Sequence, residues 1–174
     1  MELIESTGRR SDKDAVLPYL LDRLTDRYPR ARKDSERFRY ITLDQYRDSV
    51  LRDLHYLLNS SSHLSINEID EDLEYVRNSV LTYGISSLTG LEANTVNSDR
   101  IHREIEKAIL TFEPRILPDT LEVKMIGKQS SESSTSVLVY EIKGELWALP
   151  FRENIYLTTK IDLQAGTCSI GRMG

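Results

Sequence analysis

The sequence predicts an α+β protein, with N-terminal helices packed on a C-terminal antiparallel sheet, and the prediction rests on a change of period. As far as Phe112 the apolar residues recur at the three- and four-residue spacings of amphipathic helices. Beyond Pro118 they alternate with polar residues, as in half-buried strands. No apolar run approaches the roughly 20 residues that a membrane-crossing helix needs. A chain of 174 residues is long enough for one domain with a real core. The expected organisation is an N-terminal extension over 1–40, holding a short leucine-rich helix and a charged linker, and an α+β domain over 41–174.

In the extension, LPYLLDRLTDRYPR puts Leu17, Leu20, Leu21 and Leu24 on one helical face. So short a helix is marginal in water, so Leu20, Leu21 and Leu24 are expected to dock on their own domain or on a partner. The run from Arg27 to Arg39 that follows is rich in arginine and reads as a solvated linker rather than a phosphate-binding arm.

In the domain, Thr42 and Gln45 form a capping box, each side chain able to satisfy a free N–H of the first turn. The helix that follows has Tyr46, Val50, Leu54, Leu57 and Leu58 on its core face, with Leu51 on a flank and Asn59 suited to its end. Leu73, Val76, Val80 and Tyr83 predict a second helix, with acidic residues at its start favoured by the helix dipole and Gly84 ending it. A third is capped by Asn97, Ser98 or Asp99 and buries Ile101, Ile105, Ala108, Ile109 and Phe112. Strands are predicted around Leu121–Met125, over TSVLVYEIKGELW and over Ile155–Leu163, with a bulge or turn at Gly144. Gln164–Gly166 turns the chain into a last strand, TCSI.

Composition and motifs exclude several kinds of chemistry. The net charge of −5 argues against a nucleic-acid binder driven by bulk electrostatics. One cysteine, Cys168, permits neither an internal disulfide nor a cysteine-rich metal site, and reads as a small buried residue. His55, His63 and His102 have no metal-ligand spacing, and no phosphate-binding glycine loop or nucleophile elbow is present. No cofactor is implied. The N-terminus lacks a signal-peptide core, which predicts a cytoplasmic protein. Trp147 reads as a core or sheet-face residue, with an interface role as the sharper alternative.

The stretch LTFEPRILPD ends the third helix on a carboxylate, although the dipole disfavours negative charge at a helix C-terminus. Glu113 therefore calls for a compensating partner. Arg115 is a near cation that opposes the raised pKa a general acid needs, which disfavours a glycosidase reading of Glu113.

The blocks LPYLLDRLTD, DSVLRDLHYLLN, VRNSVLTYGISSLTG, FEPRILPDTLEV, YEIKGELWALP and IYLTTKIDLQAGTCSI, in this order, resemble the TssE family of small baseplate wedge subunits in the bacterial type VI secretion system. The resemblance runs from about Leu17 to Ile170. It implies a non-enzymatic structural part of a contractile machine, cytoplasmic and held at the inner membrane only through partners. It further implies that Glu113, Pro114 and Arg115 hold the subunit against the larger wedge proteins TssF and TssG, with an internal ion pair clamping the helix end to the sheet as the alternative. The family's sheet offers an edge to the first ring of the sheath proteins TssB and TssC. The C-terminal hairpin, with Ile161, Leu163, Cys168 and Ile170, or its neighbour is the expected place because few charges guard that hairpin. A peptidoglycan hydrolase, as the family's older lysozyme-like label would have it, and a generic adaptor are the competing readings.

Overall fold

The computed structural model describes residues 16–25, 29–30, 40–62, 69–70, 72–87, 98–130, 136–148 and 151–172. Most of the arginine-rich run, His63, Asn97 and the serine-rich segment 131–135 lie outside them. The chain divides into two compact units, Met1–Ser49 and Val50–Gly174.

In the first unit Val16 and Ile41 exchange backbone hydrogen bonds of 3.0 and 2.8 Å, drawing two distant segments together. Between them lies α1, Leu20–Leu24, which buries none of its residues. The capping box forms as expected at the start of α2, Leu43–Asn59. The Thr42 N–H donates to Gln45 Oε1 at 3.0 Å, and the Gln45 N–H donates to Thr42 Oγ1 at 3.2 Å.

In the second unit the rest of α2 buries Val50, Leu54, Leu57 and Leu58. The predicted helix over 73–83 is not continuous. It consists of a single turn, α3, Glu74–Arg77, and a 3-10 turn, Val80–Thr82. Ser79 interrupts it: its hydroxyl donates to the Val76 carbonyl and accepts from the Leu81 N–H, offering the backbone an alternative to the helical ladder. Leu73, Tyr75, Val80 and Leu81 are consequently exposed. Gly84 ends this stretch at φ 108°, where the Ile85 N–H reaches the Ser60 carbonyl at 3.0 Å. A Cβ on Gly84 would lie 2.2 Å from the Ser60 oxygen, so only glycine fits.

The helix α4, Ser98–Phe112, buries Ile101, Ile105, Ala108 and Ile109 as its periodicity predicts, whereas Phe112, expected on the same face, is only half-buried. Phe112 meets Tyr83 edge-on with ring centroids 5.2 Å apart. The sheet is an antiparallel meander, β1-β2-β3-β4, of β1 Glu122–Ser130, β2 Ser136–Ala148, β3 Phe151–Asp162 and β4 Thr167–Arg172. Alternation gives it an inward face that includes Leu138, Tyr140, Ile142, Leu157 and Ile161. This face and the buried stripes of α2 and α4 make up the core of the unit. Trp147 and Tyr156 are exposed.

Gly144 is neither a bulge nor a turn. It sits in register opposite Ile155, and its missing Cβ makes room for Ile116, whose Cγ2 would lie 2.9 Å away. The register shift falls in β1 instead, between Met125 and Gly127. The last turn forms where Gln164–Gly166 predict it, with Asp162 Oδ1 accepting from the Gln164 and Ala165 N–H groups and Gly166 at φ 63°.

Candidate functional site

At the end of α4 the Glu113 N–H still reaches the Ile109 carbonyl at 2.9 Å, and Pro114 then turns the chain. The turn brings Arg115 back onto Glu113. Oε1 accepts from the Arg115 backbone N–H at 3.2 Å and from its Nε at 2.6 Å, while Oε2 accepts from Nη2. The same Nη2 donates to Asp53 Oδ2 on α2 at 2.6 Å. Asp53 Oδ1 in turn meets Arg52 Nη2 at 2.8 Å. Two carboxylates and two guanidinium groups thus neutralise each other, and the bidentate pair at its centre is the strong form of such a contact.

The backbone of the motif is tied as firmly as its side chains. The Arg115 carbonyl accepts from the Trp147 N–H at 2.7 Å, and the Leu117 N–H donates to the Glu145 carbonyl at 2.9 Å. The segment thus lies along the C-terminal half of β2, bridged at Ile116 and Leu146. Thr120 Oγ1 accepts from the Glu145 N–H at 2.9 Å. Glu-Pro-Arg therefore joins the end of α4, the middle of α2 and strand β2.

Glu113 and Arg115 are each only 3% exposed, whereas Pro114 between them is exposed. Burial draws the Arg115 pKa down, but its hydrogen bonds and charge pairing with Glu113 and then Asp53 outweigh this and hold it above its ordinary value. Burial, then the charges of Asp53 and Glu113, pushes the Tyr83 phenol up. A general acid must turn a proton toward substrate, and both oxygens of Glu113 are engaged by Arg115 in the interior. Among the described residues no group of three or more His, Cys, Asp and Glu could hold a metal ion.

The other candidate residues are not gathered at this cluster. Leu20, Leu21 and Leu24 stand in solvent on α1. Ile161, Leu163 and Cys168 are core residues, at most 3% exposed, and Ile170 is half-buried. Burial pushes the Cys168 thiol up to about 12. The side chains of Ile161, Leu163 and Cys168 therefore form no surface patch, because strand alternation turns them inward. What the hairpin can offer a partner is the outer backbone edge of β4.

Two participants escaped the sequence reading. Asp53 lies on the flank of α2, and no local pattern marks it as the second acid of the cluster. Asn59 fits the reading of a helix-end residue, but its amide also reaches β4, where Oδ1 accepts from the Cys168 N–H at 2.9 Å and Nδ2 donates to the Cys168 carbonyl at 2.8 Å.

Fold and site together define a small α+β protein whose buried charges hold its own elements in place. The family model for baseplate wedge protein gp25 matches residues 44–150, more than half of the chain, and the chain belongs to that family. No match to a curated protein or to a solved structure was found. Membership supports a structural role in a phage-tail-like baseplate, among other baseplate components. Among the described residues no helix is long and apolar enough to cross a membrane.

Proposed function

We propose that this chain is a structural, non-enzymatic baseplate subunit of the bacterial type VI secretion system. It joins the wedge proteins TssF and TssG to the contractile sheath of TssB with TssC and helps start sheath assembly, on the cytoplasmic side of the inner membrane. The observation that supports this reading best, beyond family membership, is the short edge strand β4, which carries no charge and no proline from Thr167 to Gly171. Asn59 covers this edge at Cys168, and from Ile170 onward it suits strand addition by a partner. Glu113 and Arg115 contribute to the wedge contact by fixing the surface around Pro114, not by reaching into it. Leu20, Leu21 and Leu24 supply an apolar contact for a partner.

Co-purification from cells expressing TssF, TssG, TssB and TssC tests the reading. The wild-type chain is expected to retain all four. Ile170→Pro, which removes an N–H from the edge, is expected to lose the sheath proteins while keeping TssF and TssG. Failure of the folded wild-type chain to retain TssF and TssG would overturn the assignment.

A further inference from the structure

The two outer strands of the sheet guard their free edges in different ways. β1 carries Lys124 and Lys128 and is broken by the register shift at Ile126, all of which discourage pairing with another strand. β4 has no comparable device in its own sequence before Arg172. Its guard comes from α2. Asn59 gives the Cys168 backbone both an acceptor and a donor, at 2.9 and 2.8 Å, which is what a neighbouring strand would offer. The amide is held in place from behind, since Nδ2 also donates to the His55 carbonyl at 2.8 Å, one helical turn back.

In an antiparallel ladder, alternate residues turn their N–H and C=O to the same side. Cys168 faces away from β3, and Ile170 therefore faces the same outer edge. With Asn59 seated, the accessible part of this six-residue strand begins at Ile170.

We propose that Asn59 acts as a side-chain latch that occupies the β4 edge and prevents a second copy of this chain from pairing there. A second copy is the relevant intruder because an unguarded edge is self-complementary at the backbone and every copy carries the same one. The sheath reading uses the same edge, where a partner strand pairs from Ile170 onward or displaces Asn59, but the test below reads the mass of the chain alone and so fails separately from that reading.

The test is the mass in solution as a function of concentration, by light scattering after size exclusion. The wild-type chain is expected to stay near the 20.0 kDa of one copy. Asn59→Ala frees both groups of Cys168 and is expected to move toward twice that mass as concentration rises. Adding Ser169→Glu to Asn59→Ala places a carboxylate along the edge, opposite Lys160 in its own sheet, and is expected to restore the single-copy mass. A destabilised variant with Asn59 intact, matched in melting temperature, is expected to stay single. Asn59→Ala as monomeric as the wild type, association that persists with Ser169→Glu, or association in the matched control would each overturn the proposal.

Discussion

Arg115 and Asp53, 62 residues apart in the chain, meet through Nη2 and Oδ2 at 2.6 Å, and this contact ties α2 to the end of α4. Because Arg115 also holds Glu113, its removal leaves one fully buried carboxylate and one partly buried carboxylate without it. Breaking a buried pair by deleting one partner typically costs about 3–5 kcal/mol. Arg115→Ala is therefore expected to lower stability by an amount of that order, read as a fall in melting temperature on the order of 10 °C for a chain of this size. Thermal unfolding checks this, and a cycle with Asp53→Asn is expected to give clear non-additivity. A melting temperature within a degree or two of wild type would show that the cluster does not hold the fold together.

That contact also shows where the sequence is legible and where it is not. The attraction between Glu113 and Arg115 follows from their closeness in the chain and the helix end between them, and the capping box at Thr42 and Gln45 is equally local. Asp53 can be found only once α2 is laid against α4, because long-range packing decides which flank residue faces the cluster. The stretch from Leu73 to Tyr83 has apolar residues at helical spacing, yet Ser79 breaks it through short-range hydrogen bonds that a periodicity count does not weigh. Gly144 is visible as an exception within a strand, but whether it marks a bulge or a close approach depends on Ile116, which lies far away in sequence.

Gly84→Ala is expected to be among the most damaging single substitutions in the chain. The new Cβ would meet the Ser60 carbonyl at 2.2 Å in a conformation, φ 108°, that L residues rarely adopt. The loss is expected to be on the order of 2–4 kcal/mol, since backbone strain and a steric clash act together. Denaturant unfolding measures it, and faster amide exchange at Ile85 would locate the damage.

Alkaline pH is expected to unfold the protein through groups that burial keeps neutral. Tyr140 is pushed from 10.0 to about 12, first by burial and then by Asp99, and Cys168 from 9.0 to about 12 by burial. Both folded values lie above the unfolded ones, so this stability is complete below about pH 9 and is lost as pH rises toward 12. Melting temperature is expected to fall steadily across that window and less steeply in Tyr140→Phe. A thiol reagent at neutral pH is expected to label Cys168 slowly until the chain unfolds.

Replacing Leu20, Leu21 and Leu24 together by serine separates partner binding from folding. All three are more than half exposed, and surface changes usually alter stability by no more than about 0.5 kcal/mol each. The melting temperature is expected to change little, while retention of baseplate partners in co-purification is expected to weaken. A large loss of stability would place the stripe in the protein's own fold instead.

Thr159 offers a substitution expected to stabilise. Its hydroxyl is fully buried on β3, paired in register with Tyr140 and Ile170, and its Oγ1 has no hydrogen-bond partner among the described residues. A buried hydroxyl without a partner carries a desolvation penalty of about 1–3 kcal/mol that a methyl group of similar shape does not. β-branched valine also suits a strand. Thr159→Val is therefore expected to raise stability by about 1 kcal/mol, with a melting temperature a few degrees above wild type. Equilibrium unfolding in denaturant, with the slope unchanged, measures the gain. A loss of stability instead would mean that the hydroxyl is satisfied in solution by an ordered water.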